Sequence, residues 1–93
     1  MPRLPRLDDA AVTEALKSAT GWARSGDGIE RRYQFANFPE SLAFVNRVGA
    51  LAEELNHHPD IVIEYSKVRL FLTTHDSGGL TTNDFELARR IDA

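Results

Sequence analysis

Three histidines carry most of the reactive chemistry of this chain, and all fall between Glu53 and Asp84. His57 and His58 stand side by side before Pro59, and His75 follows the apolar run Val68-Arg69-Leu70-Phe71-Leu72. Imidazole is the one side chain whose ordinary proton exchange lies near neutral pH. Rings at the ends of predicted elements, with Glu53 one turn before the pair and Asp84 at the head of a later helix, point to proton transfer. One group gives a proton to one atom while another takes one elsewhere. That capability suits addition or elimination of water, and each well-placed acid or base contributes about 10²–10⁴-fold in rate.

Plainer readings compete at each position. Cationic side chains favour the C-terminal end of a helix dipole, which accounts for His57-His58 without chemistry. His75 taken alone is a loop histidine, Glu53 a solvated acid and Asp84 a capping residue. A zinc site is the sharper rival, because three histidines with Asp60 or Asp76 supply suitable donors. Adjacent side chains on extended backbone diverge, however, and there is no His-x-His or His-x-x-x-His pair. No metal site is expected.

The elements that must position these groups follow from local pattern. Asp8 caps a helix in which Val12, Ala15, Leu16 and Ala19 recur at helical spacing, with Gly21 as its left-handed stop. Residues 22–24 and 29–35 read as strands joined by the turn Ser25-Gly26-Asp27-Gly28, with Ile29, Tyr33 and Phe35 on one face and Arg31 as the exception. Asn37, Pro39 and Glu40 open a helix whose buried face is expected to carry Phe38, Leu42, Val45, Val48, Ala52 and Leu55. Pro59 disfavours helix at His58, so this element stops near Asn56 and leaves both histidines at its exit. A second hairpin pairs residues 61–65 with 68–72 through Ser66-Lys67. Thr81 and Asp84 form a capping box, Leu80 and Phe85 a hydrophobic staple, and Phe85, Ala88 and Ile91 the buried face of a last helix. The order α-β-β-α-β-β-α predicts an α+β domain: a four-stranded antiparallel sheet with helices on one face.

Composition narrows the function classes. The 93 residues suit a single domain spanning 1–93, with a small core that a homo-oligomer would help to complete. Residues 1–6 read as a flexible tail. The net charge of -3 comes from interspersed acids and bases, so counterion-driven nucleic-acid binding is disfavoured. With no cysteine there is neither a disulfide nor a thiolate site. No apolar run approaches a membrane span and no h-region follows the basic start, which predicts a cytoplasmic protein without membrane contact.

Three short motifs in order carry a resemblance: Glu53-Glu54-Leu55-Asn56-His57-His58-Pro59, then Tyr65-x-x-Val68-x-Leu70-x-Leu72-x-Thr74-His75, then Gly79-Leu80-Thr81-x-x-Asp84. Together they resemble the pterin-4a-carbinolamine dehydratases, and Gly21-Trp22 with the helix at 38–55 extends the likeness. The resemblance implies dehydration of 4a-hydroxytetrahydropterin to quinonoid dihydropterin, in recycling of tetrahydrobiopterin. It implies no metal or organic cofactor, a dimer or tetramer, and a small-molecule pterin as substrate. It implies a catalytic set of His57, His58 and His75, with His58 and His75 as the main acid–base pair. The implied substrate contacts are Asn56, His57, His58, Thr73, Thr74, His75 and Asp76, to which the reading of the residues adds Glu53 and Asp84. Asn56 stands where many animal members carry Asp, and Ile61 where they carry tryptophan. A second class is also implied, since family members act as dimerisation cofactors of transcription factors and relatives as assembly factors.

Overall fold

A computed structural model describes residues 4–93. Helix α1 (Asp9–Leu16) leads into strands β1 (Ala23–Ser25) and β2 (Gly28–Gln34), then helix α2 (Phe38–Leu55). Strands β3 (Asp60–Glu64) and β4 (Lys67–Leu72) follow, then a short 3-10 turn (His75–Ser77) and helix α3 (Thr82–Ile91). The sheet runs β1-β2-β4-β3 and is antiparallel throughout. This is the expected α-β-β-α-β-β-α order, with the helices on one face.

Alternation along β4 shows why. Val68, Leu70 and Leu72 are buried while Lys67, Arg69 and Phe71 are more exposed, the period of two that a sheet covered on one side demands. Ile29 from β2, Val48 and Ala52 from α2, and Leu87 and Ile91 from α3 close over them. Each fully buried Val, Leu or Ile contributes about 1.5–3 kcal/mol relative to an exposed one.

Several local expectations need correction. Helix α1 ends at Leu16 rather than near Thr20, because Lys17, Ser18 and Ala19 already bond three residues back. Gly21 (φ 92°) serves the following turn instead of capping the helix. Strand β1 starts one residue later than expected, and the second hairpin turns at Tyr65-Ser66 rather than Ser66-Lys67. Tyr65 there has φ 55°, a left-handed conformation that an aromatic residue seldom adopts. On α2, Phe38 (41% exposed) and Leu42 (40%) lie outside the buried face, whereas Ser41 is wholly buried. The buried stripe is centred on Ser41, Val48 and Ala52 instead.

Arg31, the charge on the inward face of β2, has a structural reason. Its guanidinium lies against Gly21, where a side chain would collide with it, and sits 4.8 Å from the Tyr33 ring centroid. It donates to the Thr20 carbonyl (2.6 Å) and to Asp92 (3.1 Å). Asp92 also accepts from the Trp22 indole N–H and the Tyr33 hydroxyl, both at 2.7 Å. Burial, reinforced by the Asp92 carboxylate, pushes the Tyr33 hydroxyl well above the usual phenol range. This polar knot ties the end of α3 to the sheet. At the other end of the chain, the Leu4 carbonyl accepts from the Ser77 hydroxyl, and Leu7 N–H donates to the Leu80 carbonyl. Residues 1–3, the start of the expected tail, lie outside the described residues. Among the described residues no helix is long and apolar enough to cross a membrane.

Candidate active site

The exit of α2 sets the two adjacent histidines apart. Asn56 adopts a left-handed conformation (φ 48°, ψ 45°). His57 N–H then reaches back to the Ala52 carbonyl (3.0 Å), and Asn56 N–H to that of Glu53 (3.2 Å). This is the Schellman arrangement, with Asn in the place glycine usually takes. The reversal turns His57 inward, where it is 9% exposed, and leaves His58 in solvent. Pro59 leads directly into β3. Because Asp60 pairs with Phe71, antiparallel register brings residues 57–59 to the same end of the sheet as residues 73–75.

The head of α3 completes the arrangement. Thr81 caps the helix and Asp84 closes the capping box, accepting from Thr81 N–H at 2.9 Å. Asp84 is wholly buried. Its other oxygen lies 2.5 Å from His57 Nε2, and Thr74 donates its hydroxyl to the carboxylate at 2.8 Å. Having given its single proton to Asp84, Thr74 must accept from the Thr81 hydroxyl, also 2.8 Å away. Among the described residues no buried side-chain polar atom lacks a partner. Asp84 therefore does two jobs: it caps α3 and it orients His57. With Nε2–H donated to Asp84, a neutral His57 keeps its lone pair on Nδ1.

His58 pairs with Glu53, Nε2 to Oε2 at 2.5 Å, and both side chains are largely exposed. Such a pair contributes little to stability but holds one ring nitrogen. His75 opens the 3-10 turn and is exposed. It borders a concavity of about 390 Å³, together with Phe71, Thr73 and the β1–β2 turn. Asn56 and Asp76 are exposed, and their side chains join neither network among the described residues. The structure thus gathers His57, Thr74 and Asp84 into one hydrogen-bonded unit. His75 follows directly on Thr74, and His58 with Glu53 stands outside. Asp84 and Glu53 each meet one imidazole, and among the described residues no three His, Asp or Glu side chains gather as a ligand set.

Two contributors escaped sequence reasoning. Thr81 reads as a helix cap, and nothing in its spacing announces a hydroxyl bonded to Thr74. The β1–β2 turn reaches the site through a bond from the Thr73 hydroxyl to the Asp27 carbonyl (2.7 Å), across 46 positions of chain. A larger groove, about 1110 Å³ between α1 and α3, contains none of the histidines. Its charged residues Glu14, Arg31, Glu86, Arg89 and Asp92 are already bonded to protein partners, so volume alone gives it no claim to the chemistry.

Comparison with known proteins agrees with this architecture. The family model for pterin 4 alpha carbinolamine dehydratase matches residues 5–93. A protein of Thermomicrobium roseum, provisionally named a pterin-4-alpha-carbinolamine dehydratase, is 53% identical over 88 residues and covers 95% of each chain. One of Sulfurisphaera tokodaii with the same provisional name is 43% identical over 89 residues, covering 96% of each. The crystal structure of a transcriptional coactivator/pterin dehydratase from Brucella melitensis superposes with a TM-score of 0.90 at 31% identity, covering 94% of this chain and 95% of that one. A pterin dehydratase-like protein described as a RuBisCO assembly factor shares the fold alone, with a TM-score of 0.63 at 24% identity over 76% of this chain and 82% of that one. With the match running from residue 5 to the last residue, the chain belongs to the pterin 4 alpha carbinolamine dehydratase family.

Proposed function

We propose that this protein is a hydro-lyase that dehydrates 4a-hydroxytetrahydrobiopterin to quinonoid dihydropterin by histidine general acid/base catalysis, in recycling of tetrahydrobiopterin. The reaction moves no electrons to an external acceptor. The C4a–O bond breaks, the N5–H pair becomes the C4a=N5 double bond, and one water leaves. Hydroxide departs poorly from saturated carbon at neutral pH, whereas water departs easily, so a proton donor at the 4a-oxygen and an acceptor at N5–H supply the catalysis. His58 and His75 are assigned to these transfers. His57, oriented through Nε2 by Asp84, presents Nδ1 to position the substrate. Glu53, Asn56, Thr73, Thr74 and Asp76 complete the contact set; Asp84, expected among the contacts but wholly buried, acts through His57 instead.

The observation that carries this reading is the buried His57–Asp84 pair bridged to Thr74, the residue before His75. A carboxylate held inside a small core beside an imidazole is a costly arrangement for a scaffold to keep. The test is a stopped-flow dehydration assay on enzymatically generated 4a-hydroxytetrahydrobiopterin after chelator treatment. Losses of about 10²–10⁴-fold in both His58→Ala and His75→Ala, with no chelator effect, are expected. Near-wild-type rates in both variants reject the catalytic roles, and loss on chelation promotes a metal.

A second reading, a dimerisation or assembly cofactor, draws on the exposed apolar patch. Phe38 and Tyr65 stack at 6.4 Å between ring centroids and 7° between planes, with Leu42 nearby on the same helix. The coactivator designation of the Brucella relative belongs with this reading. A homo-oligomer in the cytoplasm would use that face and leave the histidines free, so the two roles are compatible.

A further inference from the structure

The concavity beside His75 has one wall that the dehydration mechanism leaves unused. That wall is the β1–β2 turn, contributing Ser25, Gly26 and Asp27 alongside Thr73 and His75. Two features hold the turn in place. The Asp27 carbonyl accepts from the Thr73 hydroxyl at 2.7 Å. Gly28 packs so closely that a Cβ would collide with the Leu72 carbonyl oxygen and the Phe71 ring. The turn is therefore built against the end of β4 rather than left free in solvent.

What the wall offers is an acceptor. Asp27 is exposed, and among the described residues its carboxylate makes no hydrogen bond or ion pair; only its backbone carbonyl is engaged. An ionised carboxylate accepts hydrogen bonds and donates none, so it is complementary to a ligand edge carrying N–H or O–H groups. The half-buried Phe71 also lines the concavity, and its Gly78–Gly79 side has no side chain to obstruct a flat ring. Arg6 packs on Gly79 and brings a cation to that side. The volume lies at the small end of ligand sites, which suits one bicyclic ring or its substituent.

We propose that Asp27 is a substrate-recognition residue whose carboxylate accepts hydrogen bonds from donor groups of the heterocycle bound beside His75. This rests on the dehydratase reading for the identity of the heterocycle. Two kinds of donor fit, the 2-amino edge of the ring and the hydroxyls of its side chain, and both share the same chemistry at the carboxylate.

Equilibrium binding, followed by ligand fluorescence, separates them. The probes are biopterin, its lumazine counterpart with an oxo group in place of the 2-amino group, and 6-methylpterin without side-chain hydroxyls. Wild type, Asp27→Asn and Asp27→Ala are compared; both variants keep the backbone carbonyl that Thr73 uses. Wild type should favour biopterin over at least one analogue by about tenfold, the usual scale for a hydrogen bond to a charged group, and both variants should lose that preference. Loss against the lumazine assigns the ring edge, and loss against 6-methylpterin assigns the side chain. Variants that bind all three probes within twofold of wild type overturn the proposal, as does a wild type that binds none. Dehydration by wild type is measured separately. An active wild type with insensitive variants refutes only the role of Asp27. An inactive wild type whose binding preference depends on Asp27 refutes only the dehydratase reading.

Discussion

Replacing Asp84 with Asn is the sharpest test of the buried network. The change is nearly isosteric, so packing is kept and only hydrogen-bond polarity changes. Thr81 N–H and the Thr74 hydroxyl both donate to Oδ2, so the amide must leave its oxygen there and turn its NH2 toward His57. His57 Nε2 then has to accept, and its proton moves to Nδ1. Three charge-assisted bonds become neutral ones, which costs about 2 kcal/mol in total and about 10 °C in melting temperature for a domain of this size. Because the nitrogen presented to substrate changes from acceptor to donor, kcat/KM for dehydration should fall by about 10²–10³-fold. Long-range nitrogen–proton NMR at mildly alkaline pH reads the tautomer directly: Nε2–H in wild type and Nδ1–H in Asp84→Asn. A wild type carrying the Nδ1–H form, or a variant with unchanged tautomer and unchanged melting temperature, would refute the reasoning. Asp84→Ala strips the acceptor from three donors at once and should cost about 4 kcal/mol or more, a large part of the stability of so small a domain.

Two further outcomes follow from the fold. Gly28→Ala forces a methyl into the Leu72 carbonyl and the Phe71 ring, and should destabilise by about 2 kcal/mol in a urea titration, because backbone cannot give way as a flexible side chain can. Tyr33 is held in its neutral form, so its contribution to stability is complete below the ordinary phenol pKa of about 10 and is lost only as pH rises through its higher folded value. Alkaline titration at the tyrosinate band should therefore contain a late component that Tyr33→Phe removes; a wild-type curve identical to that of the variant would contradict the burial of this hydroxyl.

Much of the site is legible in the sequence itself. The Pro59 break, the capping box at Thr81 and Asp84, and alternation along β4 are local signals, and each depends on a few neighbouring residues. They suffice to stand His57 and His58 at a helix exit and Asp84 at a helix head. Boundaries were less legible. The end of α1 and the Tyr65-Ser66 turn turn on which hydrogen bonds close first, and a single-residue shift leaves the sequence pattern almost unchanged. That the buried face of α2 leaves out Phe38 and Leu42 is not legible either, because hydropathy marks an apolar stripe without saying which part its neighbours cover.

The chain order alone determines that this is an α+β domain, that its imidazoles sit at element ends, and that a capping acid heads the last helix. Tertiary structure alone decides that Asp84 faces His57 and that Thr74 bridges that pair to the loop of His75. It alone brings the β1–β2 turn, remote in sequence, to line the concavity that His75 borders. The physical reason is range. Caps, breaks and alternation are set by bonds a few residues long. The partner of a buried carboxylate is instead set by sheet register and helix docking, which join segments whose separation along the chain carries no local trace.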